Sequence, residues 1–240
     1  MEDLKHGLYQ TFILNDNYKY FINGIGITLL VTVLALILGL AIGVIVAIVR
    51  SSHDLQSPNH KSALLGFFDV LCRIYLTVIR GTPTTVQLLI MWFVVFASAR
   101  STEYYLIRSA VLTFGINSGA YIAEIIRSGI MSIDKGQMEA GRSLGLTYVM
   151  TMKSIILPQA FKNVLPALGN EFITLLKETS IVTIIGLKDL TKGAMIVQST
   201  TYQALVPYFA IAAIYLVIVM IIVKVMSVIE KKLRVGEKQT

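Results

Sequence analysis

The sequence predicts an all-α, polytopic membrane protein with about five transmembrane helices. Three observations carry this. Of 240 residues, 55% are hydrophobic and only 15% charged, against about 45–50% and about 25% in an average soluble domain. Mean hydropathy is +0.72. Charges are also absent from two long runs, 20–49 and 193–223, each longer than the roughly 20 residues an α-helix needs to cross the hydrocarbon. A soluble enzyme is excluded on these grounds. The formal charge of +7 would suggest nucleic acid in a soluble protein. Here it reads as basic loops that fix orientation, and no nucleic-acid partner is expected.

The whole chain, 1–240, reads as one transmembrane domain. Residues 1–20 are a polar leader with scattered aromatics, lying at the interface. The first apolar run lacks a short h-region with a small-residue cleavage site, so no cleaved signal is expected. The first span covers 21–49. Its small residues Thr28, Thr32, Ala35, Gly39, Gly43 and Ala47 recur every three or four positions. They form one ridge on which a neighbouring helix can approach closely.

A polar loop, 50–61, contains Pro58. The second span, 63–97, carries Asp69, Arg73 and Arg80 and is interrupted at Arg80-Gly81-Thr82-Pro83, where proline predicts a kink. Asp69 and Arg73 stand four apart and pair on one face. The third span is 109–128, the fourth 159–187 and the last 204–228, with 188–203 a loop or short surface element. Between the third and fourth lies 129–158, rich in glycine and charge.

Five spans put the termini on opposite sides. The loop at 50–61, the 127–162 region and the C-terminal end hold 12 Lys and Arg, including Arg50, Lys61, Arg127 and Lys238, while the opposite loops hold six, including Lys5, Arg100 and Lys188. That excess places the 129–158 loop and the C-terminus in the cytoplasm and the N-terminus outside. Cys72 is the sole cysteine, so no internal disulfide is expected. His6, His53 and His60 have no metal-ligand spacing, and neither a metal site nor a catalytic constellation is visible.

The 129–158 segment carries local start and stop signals. Asp134, with Gln137 three residues later, reads as a capping box that starts a helix. Gly145 ends it in the left-handed conformation, Thr147 caps the next helix, and Pro158 marks a boundary before the fourth span. The prediction is a short helix-turn-helix along the cytoplasmic membrane surface.

Glu139-Ala140-Gly141, then Gly145, then Ile155, Leu157 and Pro158, resemble the signature loop of ATP-binding-cassette (ABC) importer permeases of type I. That loop reads Glu-Ala-Ala, three residues, Gly, nine residues, Ile-x-Leu-Pro. The departure is Gly141, where the family usually has a second alanine. Arg80-Gly81-Thr82-Pro83 with Gln87, the stretch from Ala120 to Arg127, and the stretch from Leu165 to Phe172 resemble the polar amino acid uptake branch, of the glutamine, glutamate, arginine and histidine kind. The resemblance covers roughly 20–230.

It implies a type I permease fold in the cytoplasmic membrane of a prokaryote. Asp134, Glu139, Ala140, Gly141, Gly145, Leu157 and Pro158 would then form the coupling segment that docks on a cytoplasmic ATPase. ATP-driven closure of the ATPase pair would rock two permease subunits, copies or sisters, between inward-facing and outward-facing states. An extracellular or periplasmic amino-acid-binding protein would deliver the substrate. The chain has no G-x-x-x-x-G-K-[ST] phosphate loop, so ATP and Mg belong to the partner and no cofactor is expected on this chain.

A route for substrate is readable from helical periodicity alone. At 100° per residue, Asn163, Asn170, Glu171, Thr174, Lys177 and Glu178 share an arc of about 120°. Thr113, Asn117, Tyr121, Glu124, Arg127 and Ser128 share about one third of another circumference. Polar stripes at membrane depth face a protein interior or a water-filled path. Gln87, Glu124, Asn170, Glu171 and Thr174 are therefore the candidate path residues. Glu171 would attract an ammonium, and backbone N–H groups freed at Gly81-Thr82-Pro83 would receive a carboxylate. The plainer alternative is that Glu124 pairs with Arg127 one turn away. A secondary transporter working without an ATPase is the rival function, but it would leave the 129–158 segment without a purpose.

Overall fold

The computed structural model describes residues 2–56, 62–98 and 102–234. Pro58, His60, Lys61, Arg100 and Lys238 lie outside the described residues. Among the described residues every regular element is helical. The α-helices are α1 (Glu2–Leu8), α2 (Tyr18–Asp54), α3 (Ala63–Arg80), α4 (Thr84–Ile90) and α5 (Glu103–Met131). They continue with α6 (Lys135–Ser143), α7 (Tyr148–Thr151), α8 (Leu157–Glu178), α9 (Leu190–Thr201) and α10 (Leu205–Arg234).

Three of them, α2, α5 and α10, are long and apolar enough to cross a membrane. The two other expected spans are each built from two pieces. The stretch 63–97 is α3, which stops at Arg80, followed by α4 and a π-helical turn at Met91–Val95. The stretch 159–187 is α8, followed by a tighter 3-10 segment, Thr179–Ile185, that ends at Gly186 with φ +89. Pro166 lies inside α8, where it removes one backbone donor from the ladder. The 188–203 segment is more than a surface element. Its helix α9 buries Leu190, Gly193, Ala194 and Val197.

The chain folds into two compact units. The first comprises Met1–Leu36, Pro83–Phe114 and Phe172–Ile222. Its larger core gathers Val31, Ala35, Leu88, Phe114, Val182 and Leu187, and a smaller one gathers Phe21, Leu190, Ala194, Val197 and Ile211. Thr28 and Thr32 on the predicted ridge are fully buried. The Thr28 hydroxyl oxygen accepts the Leu190 N–H at 3.2 Å, which satisfies an orphan donor at the start of α9. Buried Asp189 caps the same helix, accepting the N–H groups of Thr191 and Lys192 at 3.0 Å each. Burial pushes its carboxyl up to about 6, against the downward pull of those two bonds.

The second unit comprises Ile37–Thr82, Gly115–Glu171 and Val223–Thr240. Here the ridge does what small residues predict. A methyl group on Gly39 would sit 3.2 Å from the Gly119 nitrogen of α5, so the two backbones nearly touch. Val46, Leu76, Ala120 and Ala123 form the core beside them. Tyr75 donates its hydroxyl proton to the Ile116 carbonyl at 2.6 Å, a second tie between α3 and α5.

Candidate functional site

The predicted helix and turn form with their caps in place, but the second helix is not short and Pro158 marks no boundary: α7 runs through a π-helical stretch, Met152–Ile156, directly into α8. The Asp134 carboxylate accepts the Gly136 N–H at 2.6 Å and starts α6. The bond is to Gly136, one residue before the Gln137 amide that the capping-box pattern had selected. At the other end Leu146 N–H bonds to the Gly141 carbonyl and Gly145 N–H to the Arg142 carbonyl, the two-bond arrangement of a Schellman stop. Gly145 has φ +83, which a residue with a Cβ adopts only under strain. Thr147 then accepts the Met150 N–H at 3.2 Å and starts α7.

Gly141 is the family departure, and its neighbour explains it. It is buried, and a Cβ there would lie 2.6 Å from the Thr151 Cγ2 and 2.9 Å from its hydroxyl oxygen. Thr151 is itself fully buried and bonds back to the Thr147 carbonyl at 3.0 Å. The threonine of α7 therefore occupies the space that an alanine on α6 would need. The pair of helices is seated on Ile130, Ile156 and Ala160 through Ile133, Met138 and Met152. Glu139, Ala140, Leu157 and Pro158 face outward. Leu144, 81% exposed, is an apolar knob at the turn, and the exposed Tyr148, Val149 and Met150 extend the apolar surface.

A second feature of the same unit is a polar groove of about 450 Å³ lined by Glu124, Ser128, Ser132, Asn163 and Ala167. Glu124 forms an ion pair with Arg80, and the Arg80 guanidinium lies 5.2 Å from the centre of the Tyr121 ring. Both charged side chains remain more than one third exposed within this chain. Asn163 donates to the Ser132 hydroxyl at 3.1 Å. Ser118 donates to Glu171 at 2.7 Å. Asn170, beside Glu171, is exposed.

Several local expectations are corrected. Glu124 does not pair with Arg127 one turn away; it pairs with Arg80, and Arg127 donates to Asp54 at 2.6 Å. The Gly81 amide is not free for a ligand, since it bonds to the Thr77 carbonyl at 2.9 Å. Thr82 donates its hydroxyl to the Val78 carbonyl at 2.9 Å, and Pro83 has no N–H to offer. Gln87, half-buried, and Thr174, exposed, belong to the first compact unit, whereas Glu124 and Glu171 belong to the second. Ser118 was missed: on the helical wheel it lies about 60° beyond Tyr121, outside the polar stripe. Among the described residues no three His, Cys, Asp or Glu are grouped to hold a metal ion.

Comparison with known proteins places these features. Residues 62–235 match the family of binding-protein-dependent transport system inner membrane components. A probable amino-acid ABC transporter permease protein of Bacillus subtilis, YckA, is 35% identical over 225 residues, 94% of each chain. The arginine transport system permease protein ArtQ of the same organism is 43% identical over 67% of this chain and 73% of its own length. The glutamine transport system permease protein GlnP of Escherichia coli is 36% identical over 68% of this chain and 74% of its own. A crystal structure of an amino acid ABC transporter with histidines superposes with a TM-score of 0.79 at 41% identity, covering 91% of this chain and 96% of that one. A methionine ABC transporter in an inward-facing conformation shares the fold, with a TM-score of 0.72 at 17% identity over 90% of this chain and 97% of that one. The all-helical architecture and these matches converge: the chain belongs to the inner membrane components of binding-protein-dependent transport systems, as an ABC permease subunit.

Proposed function

We propose that this subunit translocates a polar amino acid across the cytoplasmic membrane, in a complex whose ATP and Mg are held by separate ATPase subunits. Its N-terminus lies outside and its C-terminus in the cytoplasm. It pairs with a second copy or a sister permease, and an extracellular or periplasmic binding protein delivers the substrate. The observation that carries the proposal is the Arg80–Glu124 ion pair, both side chains more than one third exposed, with Glu124 in the lining of the groove. A zwitterion presents one carboxylate and one ammonium. It can therefore replace each partner of that pair at little electrostatic cost, with Arg80 taking the carboxylate and Glu124 the ammonium. Glu171 offers a second anionic stop along the same unit. The relatives named for arginine and glutamine fit a ligand whose common part is the zwitterion. Asp134, Glu139, Gly141 and Gly145 shape the surface that meets the ATPase, with Leu144 as its apolar contact.

The test is ATP-driven uptake by this chain reconstituted with its ATPase and binding protein. Glu171→Gln removes the charge but keeps the shape and the Ser118 contact. Uptake is expected to fall about tenfold, the cost of one lost charged contact, while the binding protein holds substrate as before. Equal uptake by the variant for every polar amino acid tried would overturn the path assignment. Uptake that persists without ATP would favour a secondary transporter.

A further inference from the structure

Asp69 is a deeply buried charged side chain of the second unit, with only 3% of it exposed. It accepts Arg73 Nε at 2.7 Å and Arg50 Nη1 at 3.0 Å; His53 Nδ1 lies 3.5 Å away without a hydrogen bond. One turn further along α2, Asp54 accepts Arg127 Nε at 2.6 Å. The cytoplasm-proximal end of α2 is thus tied to α3 through one carboxylate and to α5 through the other. Together these side chains form an ionic collar around three helix ends.

Cohesion does not require it. Val46, Leu76, Ala120 and Ala123 already pack α2, α3 and α5 against one another, and buried ion pairs are poor stabilisers compared with apolar side chains of the same volume. What such a cluster does well is refuse intermediate states, because separating Arg50 from Asp69 leaves a guanidinium only 12% exposed unpaired in a low-dielectric setting. Its position gives that refusal a use. From Arg127, α5 runs only to Met131 before the Ser132–Asp134 link and the coupling-type helix α6. From Arg73, α3 runs to Arg80, whose guanidinium pairs with Glu124. Along α5, Arg127 stands between Glu124 and the start of α6, within one compact unit.

We infer that Asp69 and Asp54 are positioning residues that make the ends of α2, α3 and α5 follow α6 as one body, so that displacement of the coupling segment reaches the Arg80–Glu124 pair. This rests on the ATP-driven function proposed above. Neither carboxylate touches substrate or nucleotide. Their contribution is to the number of amino acids moved per ATP spent.

The test uses the complete transporter in liposomes, with hydrolysis and uptake measured on one sample. Asp69→Asn is expected to lower uptake per ATP about tenfold, a typical size for a lost coupling contact, while hydrolysis stays within about twofold. Asp54→Arg and Arg127→Asp are each expected to lower the same ratio, and the double variant to recover it. An unchanged ratio in Asp69→Asn, or a double variant no better than its single parents, would overturn the inference. Should Asp69→Asn not assemble, Arg73→Lys decides: it keeps the charge and loses the Nε bond. A lower ratio in an intact complex supports the collar; an equal ratio removes it. A wild-type complex without ATP-dependent uptake would instead remove the functional proposal itself, and the two failures are told apart by that control.

Discussion

Helices α5 and α10 are nearly equal in length, and their roles are the reverse of what their hydropathy suggests. The most apolar stretch of α10 has a mean hydropathy of 2.8, yet 6% of it is buried within the chain. The corresponding stretch of α5 reaches only 1.3, and 61% of it is buried. In water the order would be inverted, because apolar area drives burial there. In a bilayer the lipid is as apolar as leucine, so helices associate through small residues and polar contacts. Helix α5 has both, with Gly115, Gly119, Thr113, Asn117 and Ser118 buried. Helix α10 presents Leu216, Val217, Met220 and Ile221 outward, a surface for lipid or for a partner subunit.

That contrast can be broken most directly in α5. A side chain on Gly119 would meet Ile42 and the Tyr75 hydroxyl at 3.0 Å. Gly119→Leu should cost more than the roughly 1–3 kcal/mol typical of overpacking, because two helices must part. The expected outcome is loss of monodisperse protein on size-exclusion chromatography. A smaller effect is expected in the coupling segment. Gly141→Ala gains about 1 kcal/mol of helix propensity but collides with Thr151 at 2.6 Å. ATP-driven uptake should fall several-fold and return when Thr151→Ala is added, which separates the collision from any intrinsic preference for glycine. The smallest effect belongs to α10. Leu216→Ala, at a residue 60% exposed, should shift the thermal unfolding of this chain alone by no more than about 0.5 kcal/mol. A larger loss that appears only in the assembled complex would identify this face as covered by the second permease.

Local chemistry was legible in the sequence, and long-range pairing was not. The Thr147 cap and the left-handed Gly145 rest on side chains and backbone a few residues apart and form as expected, and Asp134 also caps its helix, through Gly136 instead of Gln137. The Asp69–Arg73 pair, four apart on α3, also forms. Contacts between Ser118 and Glu171, 53 residues apart, and between Arg127 and Asp54, 73 apart, depend on which helices become neighbours. Helical periodicity assigns a face to each residue and leaves the identity of the opposite helix open. For the same reason Glu124 was matched with a neighbour on its own helix while its partner, Arg80, waited on another.

Neither compact unit is a continuous piece of chain. The polypeptide passes from one to the other five times, at 36/37, 82/83, 114/115, 171/172 and 222/223. During synthesis, then, the core around Val31, Leu88 and Phe114 stays unfinished until Val182 and Leu187 have entered the membrane. A single cut anywhere in the chain leaves at least one unit incomplete, although residues 1–171 keep the core around Val46, Leu76, Ala120 and Ala123 together with α6 and α7. For the first unit, insertion and folding are consequently separate stages, with its early helices held in the bilayer until the later ones arrive.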